Sequence, residues 1–194
     1  MNYFLPKTVQ IDNKEYAIRY DFRVILTIIE ALNDLELQGI EKAQAVFELF
    51  YVAPEDITNY EEAIQQCYRF IDMGEERSKK KSPRVMDWEQ DFNYIIAPIN
   101  RVLGAEIREI PYDYDKNTGG LHWWTFMSAY MEIGGDCMFS QIVSIRDKRA
   151  RGKKLEKHEQ QWFKRNIELV EFKRKYSEAE NELFKEWMGG GKDG

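Results

Sequence analysis

The spacing of polar and apolar positions changes at residue 21, and the change marks the first structural boundary. Between residues 8 and 20 the two kinds alternate: Val9 and Ile11 precede Asp12-Asn13-Lys14, and Tyr16, Ile18 and Tyr20 follow. Alternation about an Asx-rich turn predicts a small β-hairpin. An isolated hairpin is marginal in water, so it must lie on other elements. From Asp21 the period is helical. Phe22, Ile25, Leu26 and Ile29 share one face while Val24, Ile28 and Leu35 share a second, which predicts a central helix broken at Gly39. Ile40, Ala43, Phe47 and Phe50 form the next stripe, and Pro54 stops it.

Thr58 with Glu61 reads as a capping box for a helix carrying Tyr60, Ala63, Ile64, Cys67 and Ile71 and ended by Gly74. Residues 74–85 contain almost nothing to bury and predict a flexible linker. Asp87 caps a helix with Trp88, Phe92, Ile96, Ile99 and Leu103 inward; Pro98 inside it predicts a kink. Residues 105–120 read as a loop, Leu121 to Ile133 as a helix, and Asp136 as the cap of a further helix with Phe139, Ile142 and Val143 inward. After Gly152 the chain is highly charged, with Leu155, Trp162, Leu169, Phe172 and Tyr176 as one narrow stripe. A second capping box at Ser177 and Glu180 precedes Leu183, Phe184 and Trp187. The predicted fold is mainly α: a helical bundle with a small N-terminal hairpin and a long charged C-terminal helix. Residues 1–152 form the core domain, and 153–194 a helical extension.

Composition narrows the function. Apolar residues at 43% supply a core, and 14% aromatics argue against disorder. A net charge of −6 argues against general binding of nucleic acid or anionic membrane. No apolar run is long enough to span a bilayer, and Met1 to Pro6 does not open a signal peptide. Cys67 and Cys137 lie in apolar helical patterns and are expected as reduced thiols.

Chemistry finds little support. His122 stands beside two tryptophans at a helix start and reads best as a packed or capping residue; His158 lies among charges. Neither cysteine has a histidine neighbour or a CxxC partner. Asp113, Asp115 and Asn117 match the first ligand positions of a calcium loop. The required Gly is Thr118, however, and the bidentate Glu is Trp124. Gly189-Gly190-Gly191-Lys192 lacks the spacing and flanks of a phosphate loop. No enzyme activity, metal or cofactor is therefore expected.

Binding features are clearer. Arg146, Lys148, Arg149, Arg151, Lys153, Lys154 and Lys157 form a basic run that suits nucleic acid, though a solvated elbow is favoured because interleaved aromatics are missing; an acidic protein surface is a third partner it could meet. Adjacent Trp123 and Trp124 diverge by ~100° on a helix, so one can face the core and the other a second surface. With Phe126 and the C-terminal residues Trp162, Leu169, Phe172 and Trp187 they are the candidate partner-binding anchors, core packing being the plain alternative. A charged helix with one apolar seam needs a partner in its own chain or another copy.

Three blocks carry a resemblance: Asp87-Trp88-Glu89-Gln90-Asp91-Phe92-Asn93-Tyr94-Ile95-Ile96, Leu121-His122-Trp123-Trp124-Thr125-Phe126, and Phe139-Ser140-Gln141-Ile142-Val143-Ser144-Ile145-Arg146 with the basic stretch after it. In these the chain resembles the bacteriophage "gene product fifteen" family of long-tailed phages and prophages of Gram-positive bacteria, over roughly Asp21 to Trp187. The resemblance implies a role similar to tail assembly chaperones. Such proteins bind the tape-measure protein and tail-tube subunits as homo-oligomers in the host bacterial cytoplasm, and they are absent from the finished virion. A nucleic-acid-binding accessory protein using residues 146–157 is the alternative.

Overall fold

The computed structural model describes residues 4–75 and 82–173. The hairpin forms where the alternation places it. Strands β1 (Thr8–Ile11) and β2 (Lys14–Ala17) pair antiparallel, with Ile11 opposite Lys14. Asp12 and Asn13 take the left-handed conformations of a two-residue hairpin turn (φ 49° and 61°). Ile11 and Ile18 are fully buried, so the hairpin does lie on the helices.

Helix α1 (Phe22–Asn33) is the central element. It buries Phe22, Val24, Ile25 and Ile28, each contributing about 1.5–3 kcal/mol of apolar burial. It ends at Asp34, earlier than the pattern predicts, and Gly39 opens α2 (Gly39–Phe50) rather than closing α1. Leu35 thus sits between helices, exposed. Helix α3 (Tyr60–Ile71) starts one residue later than expected: Asn59, not Thr58, accepts the N–H of Glu62. In α4 (Trp88–Leu103) Asp87 is the cap, accepting from Gln90 N, and the helix runs through a buried Pro98. Helix α5 (Trp123–Met131) is capped by His122. Helix α6 (Met138–Ala150) is capped by the Cys137 thiol rather than by Asp136, which pairs with Arg101 instead. Both cysteines are free.

Two segments differ from the sequence reading. Within 105–120 a second hairpin forms, β3 (Tyr112–Asp113) with β4 (Thr118–Gly119). The triplet that mimics a calcium loop is its turn: Asp113 holds Lys116, and Asn117 (φ 50°) donates its side-chain amide to Ile18 O. The stripe after Gly152 does not lie on one helix. Helix α7 (Lys157–Arg165) stops at Asn166, and α8 (Ile167–Val170) is a single turn. Asn166 turns its side-chain amide back onto Trp162 O. It thereby offers the backbone an alternative to the helix ladder. Residues 76–81 of the predicted linker, and Tyr176, Ser177, Glu180 and Trp187, lie outside the described residues.

One glycine is dictated by its surroundings. Gly120 has φ +74°, and a Cβ there would stand 2.2 Å from Asp21 Oδ2. Both the left-handed backbone and the close approach demand glycine. Gly120→Ala is expected to destabilise the fold by about 3 kcal/mol, through strain plus displacement of a buried carboxylate. Urea unfolding measures it, and a change below about 0.5 kcal/mol, the level of an ordinary surface substitution, would refute this packing.

Candidate partner-binding surface

The aromatic block at 121–126 is a clasp inside the fold. Asp21, fully buried, accepts hydrogen bonds from Arg23 N and Nε through Oδ1 (3.0 and 2.7 Å) and from Leu121 N through Oδ2 (2.8 Å). Phe22 N donates to Leu121 O and Trp123 N to Tyr20 O, so the start of α1 is stitched to the start of α5. His122 Nδ1 accepts from Trp124 N (3.1 Å), which leaves Nε2 carrying the proton and donating to Pro6 O (2.8 Å). The ring stacks on Tyr20, and its burial pushes the imidazole pKa below the usual value.

The two tryptophans do one job from two directions. Trp123 Nε1 donates to Ile71 O and Trp124 Nε1 to Phe70 O, each at 2.9 Å. These carbonyls belong to the last turn of α3, where helical partners run out. Trp123 and Phe126 are fully buried and stacked on each other, so neither is a surface anchor, and that expectation is corrected. Trp124 is half-buried.

The basic run is also divided by burial. Arg146 is a core residue, 4% exposed, on the same face of α6 as Phe139 and Ile142. Its guanidinium meets the buried Asp91 carboxylate with two bonds, Nη1–Oδ2 2.5 Å and Nη2–Oδ1 3.1 Å. The remaining donors reach Val170 O (2.7 Å), Leu169 O (2.7 Å) and Val85 O (3.3 Å). Arg146 thus fills all five donor positions and fastens α4, α6, α8 and the segment before α4 together. It is no part of a nucleic-acid surface. Lys148 pairs with Glu159, Arg149 with Glu171 and Arg151 with Asp147, while Lys153 and Lys154 are exposed.

The surface left apolar lies elsewhere. A groove of about 300 Å³ runs between α1 and α4, floored by Leu26, Ile29, Trp88 and Phe92 and edged by Thr27 and Glu30. It continues past Ile29 and Trp88 into a second hollow of about 640 Å³, closed by Leu35, Met86 and Phe172. Of the predicted anchors, Phe172 therefore reaches this surface, lying 4.2 Å over the Arg146 guanidinium. Leu169 is half-buried and gives Arg146 its carbonyl; Trp162 is half-buried on α7. The structure brings neither to the groove.

Among the described residues no three His, Cys, Asp or Glu side chains converge to hold a metal, and no helix is long and apolar enough to cross a membrane. Residues 1–172 match the family described as Bacteriophage Gp15 protein, a span that holds all three sequence blocks and ends at the groove's Phe172. The chain belongs to the bacteriophage Gp15 family. Comparisons with curated proteins and with solved structures give no match. In this Gp15 protein the Leu-His-Trp-Trp block is thus explained by the fold. The groove residues Leu26, Ile29, Trp88 and Phe92 read in sequence as core. The signal for them is that α1 and α4 carry more apolar circumference than one core contact can cover.

Two outcomes test this assignment. Arg146→Met is expected to cost about 3–5 kcal/mol in urea unfolding because it leaves Asp91 buried without a cation, and Arg146→Met with Asp91→Leu should regain most of that loss. A double variant no more stable than the single one would contradict the pairing. His122 has a folded pKa below its ordinary 6.5. The unfolded chain therefore takes up the proton first, so stability is full above pH 6.5 and falls as pH drops through 6.5 toward the folded value. His122→Gln should flatten that part of the stability–pH curve; an unchanged slope would remove His122 as its source.

Proposed function

We propose that this Gp15 protein is a non-enzymatic tail assembly chaperone. It binds an apolar helical stretch of the phage tape-measure protein in the groove between α1 and α4, and releases it to tail-tube subunits. The observation that carries the reading is the groove itself. Leu26, Ile29, Trp88 and Phe92 form a continuous apolar floor, with Thr27, Glu30 and Glu89 along its edge. That form accepts the apolar face of an amphipathic helix, read through anchors at i, i+3, i+4 and i+7. Family membership supports a place in phage biology. The clasp at Asp21, His122, Trp123 and Trp124 supports it differently: the polar groups that a catalytic centre would need are engaged in holding the backbone. The site of action is the host bacterial cytoplasm, and the protein leaves before the virion is complete.

Co-expression with a tape-measure fragment tests the proposal. The wild-type chain should keep the fragment soluble and co-purify with it. Thr27→Trp, which fills the groove from an exposed edge, should weaken binding by about tenfold or more, equal to ~1.4 kcal/mol. Ile29→Asp should do the same provided its circular dichroism matches wild type. Failure of the wild type to hold the fragment, or undiminished binding by Thr27→Trp, overturns the proposal.

A further inference from the structure

The two ends of the helical array carry opposite charge. Helices α2 and α3 pack on α1 and β1, whereas α6, α7 and α8 pack on α4 and on one another, so α1, α4 and α5 separate the two groups. Between Asp34 and Glu62 the sequence has eight carboxylates and one cation, Lys42, which donates to Leu32 O; from outside this stretch Lys14 pairs with Asp56. Glu41, Glu48 and Glu61 meet only the amides of Gln38, Gln44 and Gln65, with no cation paired to them among the described residues. Between Lys148 and Glu171 four carboxylates stand against eight cations. Of these, Lys153, Lys154, Lys157, Lys164 and Arg165 have no ion-pair partner among the described residues.

Each end also offers apolar surface. Between α2 and α3 lies a groove of about 440 Å³ with Ile40, Phe47, Tyr60 and Ile64 in its walls and Glu48 and Glu55 at its rim. Ile40 is 85% exposed and Tyr60 61%, high values for large apolar side chains on an otherwise packed surface. At the basic end Ile167 is 48% exposed at the α7–α8 corner, two residues after Arg165 and three after Lys164, with the single carboxylate Glu168 beside it. An apolar floor alone would accept many partners. Its acidic rim selects an apolar knob flanked by cations, and the opposite end of the same molecule has that composition.

We infer that the α2–α3 groove receives the α7–α8 corner of a second copy of this chain. The net charge of −6 repels copies that meet at random, so only the approach of basic end to acidic groove is favourable. The two surfaces differ, which makes the contact heterologous. An assembly of any length leaves one groove open at one end and one basic corner at the other, and the chain assembles head to tail. This surface is distinct from the α1–α4 groove, so the inference stands independently of the chaperone reading.

Sedimentation velocity on the full chain tests it. The wild type should self-associate at about 0.01 M salt and dissociate toward monomer at about 1 M, as the screening length falls from about 30 to about 3 Å. Two doubly substituted variants, Glu48→Lys with Glu55→Lys and Lys164→Glu with Arg165→Glu, change only exposed charges. Each alone should be monomeric in low salt. Mixed in equal amounts they should form a one-to-one dimer that grows no further, because each retains the surface the other has lost. A monomeric wild type in low salt, variants that associate like wild type, or a mixture that stays monomeric would each overturn the inference. A monomeric wild type that shifts duplex DNA at low salt would assign the basic corner to nucleic acid instead.

Discussion

Arg146 and Asp91 set the geometry on which the second half of the molecule depends. A guanidinium and a carboxylate, both almost wholly out of water, are costly to bury unless each bonding position is met. Here they are met by one another, by the N–H of Asp87 on Asp91 Oδ2 (2.9 Å), and by the carbonyls of Val85, Leu169 and Val170. The partners come from four stretches of chain. Moving any one of them leaves a buried charge short of a bond, so the pair fixes where α8 and residues 171–173 lie. Gln90 extends the hold: its amide donates to Glu171 O (2.9 Å) and accepts from Lys173 N (3.0 Å). Phe172 is thus carried to the mouth of the apolar groove by bonds that begin at a buried ion pair.

Local chemistry was legible in the sequence, and long-range polar pairing was not. The Asp12-Asn13 turn, the Asp87 cap and the central position of α1 follow from residues within a few positions of one another. Caps moved by one residue at Asn59 and Cys137 because neighbouring side chains compete for the same orphan N–H groups. The C-terminal stripe misled because apolar spacing continues across Asn166 while the helix does not. Arg146 was read as surface because arginine usually is. Its place at i+4 from Ile142 and i+7 from Phe139, and that of Asp91 between Trp88 and Ile95, put both charges within apolar stripes. Two opposite charges each intruding on an apolar face are a signal for a buried pair, though their partnership spans 55 positions.

The surfaces divide along the same line. Aromatic residues that stand out in sequence, Trp123 and Phe126 above all, are spent on the interior, whereas the open grooves use residues that look like ordinary core. A helix whose apolar arc exceeds what its neighbours cover leaves a strip over, and in α1 and α2 that strip lines the open grooves.

The tryptophan clasp also bears on how the chain comes to be folded. Its bonds join residues 6, 20–22, 70–71 and 121–124, among the most widely separated positions the fold brings together. A ribosome adds about 5–20 residues per second, so several seconds pass between the emergence of α3 and that of the two indoles that close its end. During that interval Ile71 O lacks its indole partner, while Phe70 O is met within its own turn by Met73 N. The end of α3 therefore reaches its final bonding only after the Leu121–Phe126 block has been made. Translation of the Leu121–Phe126 block supplies the indoles that close the end of α3, while Asp91 still waits for Arg146 to be made.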